Sequence, residues 1–168
     1  MKQLIALLIL SGGLLTNPAS AQKKLGHINS AELLGLMPER KVAAAKMDSI
    51  TKDVQKSLQD MMTEYRTKQE KFSAESAALS SLVKKDREDE LNSLGQRIQK
   101  FQEDAQQSLQ DEEAKLIEPI VTKAKKAIEQ VAKENGYTYI FDTSAGALLF
   151  WEESDNVLAL VKKKLNLP

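Results

Sequence analysis

Two long polar stretches, each with one narrow apolar stripe, constrain this chain more than any other feature. The first, residues 39–80, contains no glycine and no proline. Its apolar side chains recur at steps of three and four, which predicts one helix with a thin seam that needs a partner along its length. The stripe consists of Met47, Ile50, Val54, Leu58, Met61, Tyr65 and, after a polar step, Phe72.

The second stretch, residues 86–135, supplies a matching stripe. A short polar connection separates the two helices, so we expect them to pack as antiparallel neighbours in a coiled-coil hairpin. A fold near Val83 would place Tyr65 beside Phe101, and about 40 residues make an arm on the order of 60 Å long. The stripe consists of Leu91, Leu94, Ile98, Phe101, Ala105, Leu109, Leu116, Ile120, Ala124, Ile128 and Val131.

Pro119 interrupts the second stretch. Proline removes a backbone donor and kinks a helix. We interpret Pro119 as the hinge where the arm, residues 39–135, meets the rest of the protein.

The two ends of the chain, residues 22–38 and 136–168, predict a small β body. Residues 25–30 alternate as a strand, and Ser30 is expected to cap a short helix that Pro38 ends. Near the C-terminus, strands at 137–142 and 147–151 flank a turn and predict a hairpin. Ser154 or Asp155 is expected to cap a last helix. The fold class is therefore α+β, mostly helical.

The predicted strands are apolar on both faces, so both faces need covering and the strand edges need partners. Self-association meets both needs, whereas the terminal helices and the arm base could cover the sheet within a monomer. We favour a body formed by oligomerisation. The candidate interface residues are Leu25, Ile28, Tyr139, Ile140, Phe141, Leu148, Phe150 and Trp151.

The N-terminus predicts export. Lys2 precedes a short apolar run, and residues 19–21 (Ala-Ser-Ala) form a small-x-small cleavage site. These are the parts of a secretory signal peptide, residues 1–21, and the run is too short for a membrane anchor. No cysteine is present, which excludes disulfides. The balanced charge, 24 basic against 24 acidic side chains, gives no general attraction to nucleic acid or to a membrane surface.

Residues suited to chemistry are few. His27 is the single histidine and has no ligand-type partner at a set spacing, so we interpret it as a strand residue at the body surface. Asp142, Glu152, Glu153 and Asp155 are acidic, but turns and a helix cap explain them. We therefore expect no catalytic residue, no metal site and no cofactor.

Several segments resemble the Skp/OmpH family of periplasmic chaperones. They are residues 25–30 (LGHINS), the helix end at residues 37–39, residues 117–121 (IEPIV), residues 127–137 (AIEQVAKENGY) and the last helix, residues 156–166. The resemblance implies a homotrimer whose three arms surround a cavity that holds unfolded outer-membrane proteins in the periplasm. His27, Asn156 and the neutral charge depart from the family pattern. We therefore carry over no site for lipopolysaccharide or anionic lipid.

The sequence and the resemblance together predict an ATP-independent holdase, exported to the periplasm, with unfolded outer-membrane proteins and its own copies as partners. Integral membrane association is not expected. The alternative is a structural coiled-coil adaptor or spacer of the cell envelope, which would have one folded partner.

Overall fold

A computed structural model describes residues 23–168. The predicted signal peptide lies outside the described residues. The mostly helical α+β fold is confirmed, with two long helices and a small sheet. Its elements are β1 (Lys24–Ile28), α1 (Ser30–Leu36), α2 (Pro38–Glu75), a 3-10 turn (Ser76–Ala78), α3 (Ser81–Asn135), β2 (Tyr137–Asp142), a second 3-10 turn (Glu153–Asp155) and α4 (Leu158–Lys164).

The arm is the antiparallel pair of α2 and α3, but its turn lies earlier than predicted. Helix α2 ends at Glu75, and the Ser80 side chain caps α3 by accepting a hydrogen bond from the Val83 amide at 3.4 Å. The predicted pairing of Tyr65 with Phe101 is therefore wrong. A methyl group added at Gly95 would lie 3.7 Å from the Tyr65 ring. The turn residues, not the stripes, set this register.

Helix α3 continues through Pro119 and ends at Asn135. Gly136 follows with a φ of 70°, the left-handed conformation that glycine adopts without steric cost. The helix therefore ends where the sequence predicted, and β2 begins at the next residue, Tyr137.

The sheet of the body is a parallel pair, not a hairpin. Leu25 lies opposite Tyr139, and His27 lies opposite Phe141. The prediction of a strand at residues 147–151 is wrong, because this segment forms no regular element after the turn at Thr143–Gly146. The apolar run there satisfies a strand pattern, but it pairs with no strand of residues 23–168.

Two helix caps also differ from the prediction. The Asn29 side chain, not that of Ser30, caps α1 by accepting from the Glu32 amide at 3.0 Å. The N-cap of α4 is Val157, whose side chain makes no cap hydrogen bond, and the preceding Asn156 side chain, not Ser154 or Asp155, accepts from the Leu158 amide at 2.9 Å. Asparagine is as good a cap as serine or aspartate, so composition alone does not choose among neighbours.

One hydrophobic core fills the body. It lies where α1, α4 and the last third of α3 pack on one face of the sheet, and no helix of residues 23–168 packs on the second face. Its buried residues are Ile28, Leu33, Met37, Ala43, Ile120, Ala124, Ala127, Val131, Val157 and Val161.

Candidate functional site

The uncovered face of the sheet is aromatic. Tyr139 and Phe141 alternate onto it with their rings stacked 6.3 Å apart, and they remain 54% and 42% exposed. Leu25, opposite Tyr139, is also exposed. Parallel sheets are normally covered on both faces. Among residues 23–168, Trp151 and the Glu152 carbonyl cover His27 on this face, but Tyr139 and Phe141 stay exposed.

The segment after β2 adds a second apolar surface. Leu149 is 98% exposed and Phe150 is 80% exposed, while Leu148 is half-buried. Leu149 was not among the candidate interface residues, although it lies in the same apolar run. Together with the sheet face these residues form what we call the body patch: Leu25, Tyr139, Phe141, Leu149, Phe150 and Trp151.

Two candidate interface residues face inward instead. Ile28 is almost fully buried in the protomer's own core, and Ile140 is half-buried against that core. Ile28 is therefore a core residue, and the prediction that it lies at an oligomer surface is wrong. The alternation of β2 explains the division, because Ile140 points to the face opposite Tyr139 and Phe141.

Strand β2 also has a free edge among the described residues. On the outer side of β1, His27 forms a bridge with Asn156, and the Val157 amide donates to the His27 carbonyl at 2.9 Å. Strand β2 pairs only with β1 in residues 23–168. A free edge beside an exposed aromatic face is a site for pairing with another chain.

His27 is buried, with 4% of its surface exposed, so its interpretation as a surface residue is wrong. Its Nε2 lies 3.0 Å from the Glu152 carbonyl, and its ring lies 5.7 Å from that of Trp151. His27 thus anchors the start of the C-terminal segment to the sheet. In residues 23–168, no group of three or more His, Cys, Asp or Glu side chains could hold a metal ion.

Asp142 joins β2 to the start of α1. Its carboxylate accepts from the Ser30 hydroxyl at 2.5 Å and from the Ser144 amide at 2.9 Å. Partial burial raises the pKa of Asp142, but the hydrogen bonds from Ser30 and Ser144 outweigh it and lower the pKa to about 2. The acidic residue is a structural link between the two ends of the chain.

The arm carries shallow grooves between its helices. A groove of about 590 Å³ lies halfway along the arm, where Gly95 leaves room beside Tyr65. Met62 in this groove is 51% exposed. The groove is lined by Gln59, Met62, Thr63, Tyr65, Arg66, Gln69, Gly95 and Ile98.

The proposed hinge residue Pro119 lies at the arm base, in contact with two further grooves. Lys123 forms an ion pair with Glu39 of α2. None of the helices within residues 23–168 combines the length and the apolarity needed to cross a bilayer.

Comparison with known proteins identifies the class. The model of the family described as outer membrane protein (OmpH-like) matches residues 24–165. The chain therefore belongs to the OmpH-like family.

Two curated relatives are chaperone proteins named Skp. The one from Vibrio cholerae serotype O1 is 30% identical over 145 residues, which cover 84% of this chain and 83% of the relative. The one from Photorhabdus luminescens is 25% identical over 151 residues, covering 88% of each chain.

A solved structure shows the same fold. The crystal structure of an OmpH-like protein from Caulobacter crescentus CB15 superposes with a TM-score of 0.75, covering 87% of this chain and 85% of that one. Its sequence identity is 16%, so this likeness concerns the fold alone.

Proposed function

We propose that this protein is an ATP-independent periplasmic holdase, which binds unfolded outer-membrane proteins between helical arms and prevents their aggregation. The observation that carries the proposal is the arm itself. Two helices of 38 and 55 residues project from a small body. Between residues 44 and 119 of this arm, only Leu94 is buried. The arm therefore presents most of its surface to other molecules.

Clients would contact this surface through many weak interactions. The mid-arm groove offers an apolar patch at Met62 and Tyr65, next to the cationic Arg66. Ion pairs along the helices, such as Lys52 with Asp48 and Lys100 with Asp104, leave charges of both signs at the surface. Several arms acting together would give the avidity that a single shallow groove lacks.

The cavity requires self-association, and we propose a homotrimer. The body patch supports it, because residues 23–168 leave an aromatic sheet face, one edge of β2 and the apolar residues Leu149 and Phe150 exposed. Three copies would cover this patch and would point three arms in one direction. The number three comes from the family resemblance.

We also propose that the protein is located in the periplasm. It is supported by the signal peptide predicted at residues 1–21 and by the membership of the OmpH-like family. Cleavage after Ala21 would leave a mature chain that starts at Gln22. Mass spectrometry of the protein from a periplasmic extract should give this N-terminus.

The test of the holdase uses a β-barrel membrane protein diluted from urea. The purified oligomer should suppress its aggregation at a near-stoichiometric ratio, without ATP, as measured by light scattering. Equal aggregation with and without the protein would contradict the proposal. Capture of a single folded partner at fixed stoichiometry would instead favour an envelope adaptor.

A substitution in the mid-arm groove tests whether the arm is the binding surface. Met62→Asp should weaken client retention by roughly two- to tenfold, since burying half of a methionine contributes on the order of 1 kcal/mol. Stability should change by less than about 0.5 kcal/mol, because the site is exposed. Val42→Asp, at the exposed arm base, is the matched control, and an equal loss there would contradict a specific role for the groove.

A further inference from the structure

A lysine interrupts the apolar stripe of α2. Lys68 stands between Tyr65 and Phe72, at a step where the spacing of three and four predicts an apolar side chain. Its side chain is 33% exposed, and its ammonium group donates to the Glu90 carboxylate on α3. Among residues 23–168, this is the one ion pair that joins the two helices of the arm beyond its base. A polar residue at a single seam position specifies the register of a coiled coil at a cost in stability.

The two stripes also fit a second register of the hairpin, the one that the sequence predicts. In this second register Tyr65 lies beside Phe101. Antiparallel pairing then places Phe72 beside Leu94. In the structure Tyr65 lies beside Gly95 instead, six residues earlier on α3. The second register brings larger apolar side chains together, so apolar contact along the seam favours it. At 1.5 Å per residue, the helices are displaced by about 9 Å between the two registers.

The turn segment is compatible with both registers. Residues 76–85 (SAALSSLVKK) contain neither glycine nor proline, the two residues that end helices most effectively. A longer α2 with the turn near Val83 therefore meets no local obstacle. The hydrogen bond that the Ser80 side chain accepts from the Val83 amide is long, at 3.4 Å. The turn residues close the observed register, and a further contact is needed to hold it against the one that the stripes favour.

The second register would cost Lys68 its partner on α3. It would place Lys68 beside Ile98. The surrounding residues 91–102 include no acidic side chain, and Arg97 adds a like charge. A cation that is half-buried in the seam without an opposing carboxylate is unfavourable, and a nearby cation adds to that cost. Glu64, one turn away on α2 at 3.7 Å, accompanies Lys68 in either register and does not distinguish them.

The observed register keeps both members of the pair charged. The hydrogen bond from Lys68, together with that from Arg87 at 3.1 Å, lowers the pKa of Glu90. The bond to Glu90 in turn raises the pKa of Lys68. Each side chain therefore favours the ionised form of the other, so the contact is a charged one at neutral pH.

The register also decides whether the mid-arm groove exists. The groove is open because Gly95, which has no side chain, lies beside Tyr65. The second register would bring Phe101 to this position and fill the groove. We propose that Lys68 and Glu90 are a positioning pair, which holds the arm in the register that opens the groove. The inference rests on the proposed function only for its consequence, the binding of clients in that groove.

A small set of variants separates the pair from other effects of replacing a lysine. Lys68→Leu removes the pair and completes the stripe of α2, so it should shift the arm to the second register. Glu90→Gln removes only the carboxylate and should populate both registers. Lys68→Arg keeps the cation and should behave as the wild type. Lys52→Leu breaks the exposed pair with Asp48 within α2, so it is the matched control and should keep the wild-type register.

Pulsed electron paramagnetic resonance can measure the register without a client. The chain has no cysteine, so Thr67→Cys on α2 and Ala114→Cys on α3 accept spin labels at two exposed sites. A trace of labelled chain is mixed with excess unlabelled chain, so that only distances within one chain are read. The second register should shorten this distance by up to about 9 Å. Because no client is present, a failed holdase assay leaves the measurement interpretable, and the reverse also holds.

The wild type, Lys68→Arg and Lys52→Leu should give the long distance, and Lys68→Leu the short one. Client retention should fall with the short distance by roughly two- to tenfold, because the groove is then filled. The long distance in both Lys68→Leu and Glu90→Gln, with unchanged helical circular dichroism, would overturn the proposal. Should Lys68→Leu lose its helical signal, Glu90→Gln decides, and a single long distance in that variant would overturn the proposal as well.

Discussion

The body and the arm differ in where their buried side chains lie. Ten buried hydrophobic residues form one cluster in the body and at the arm base, where short elements from both ends of the chain meet. Within the arm, between residues 44 and 119, Leu94 is the single buried residue, although this stretch contains most of the described helix. The body is therefore stabilised by packing, and the arm by helix formation along a thin seam.

The difference between body and arm can be tested first by adding charge at exposed apolar residues of each. Tyr139→Asp with Phe150→Asp places charges in the body patch and should convert the proposed oligomer to a monomer, because desolvating a carboxylate opposes association. Leu82→Asp, at the exposed arm tip, should leave the oligomer intact. Light scattering gives both masses. A wild-type monomer would remove the proposed cavity altogether.

Truncating one leucine in the body and one in the arm should show how much the packing of each region contributes to the free energy of unfolding. Leu33→Ala, in the body core, should lower the free energy of unfolding by about 2–5 kcal/mol. Leu58→Ala, half-buried in the arm seam, should cost about 1 kcal/mol, since less surface is lost from contact. Urea unfolding followed by circular dichroism measures both changes. Equal losses would show that the arm seam is packed as tightly as the body.

Two glycine substitutions should have effects of opposite sign. A methyl group at Gly26 would lie 2.9 Å from the Tyr137 ring and 3.0 Å from Val157, so Gly26→Ala should cost about 1–3 kcal/mol. At Gly95 the nearest atom is 3.7 Å away, so Gly95→Ala should stabilise the arm by about 1 kcal/mol through helix propensity. Thermal melting gives the two signs, and a destabilised Gly95→Ala would mean that the groove is already filled.

The smallest expected effect is on the pH dependence of stability, through Asp142 in the body. The Asp142 pKa is about 2 in the folded protein, below its ordinary value of 3.8. Its contribution is therefore complete above pH 3.8 and is lost as the pH falls through about 2. Asp142→Asn should remove this dependence, so stability curves of the two proteins should converge in acid. Parallel curves across that window would contradict the assignment.

The arm was more predictable than the body, for a physical reason. Apolar steps of three and four along 50 residues have few interpretations other than a helix, and Gly136 marks its end. The turn at Ser76–Ser80 was less predictable, because small and polar residues occur on both sides of it. That uncertainty of a few residues moved the partner of Tyr65 from Phe101 to Gly95.

In the body, the short apolar runs fit more than one secondary structure. Residues 137–142 and 147–151 satisfy the same strand pattern, but within the part of the chain that the structure describes only the first pairs with another strand. The burial of His27 depends on Trp151 and Glu152, which are far away in sequence, so no local pattern could have indicated it. Five of the eight candidate interface residues are exposed and Ile28 is buried, while the role of the exposed ones at an interface stays a prediction.

The parallel pairing of β1 with β2 has a consequence for the order of folding. The contact of Ser30 with Asp142 joins residues 112 positions apart, whereas the turn at Ser76–Ser80 joins neighbours. Closing a long loop costs entropy before its contacts form, so we expect the hairpin to form early and the sheet to form last. A chain that is still emerging would carry a finished arm and an unfinished body, so it could not yet form the proposed oligomer.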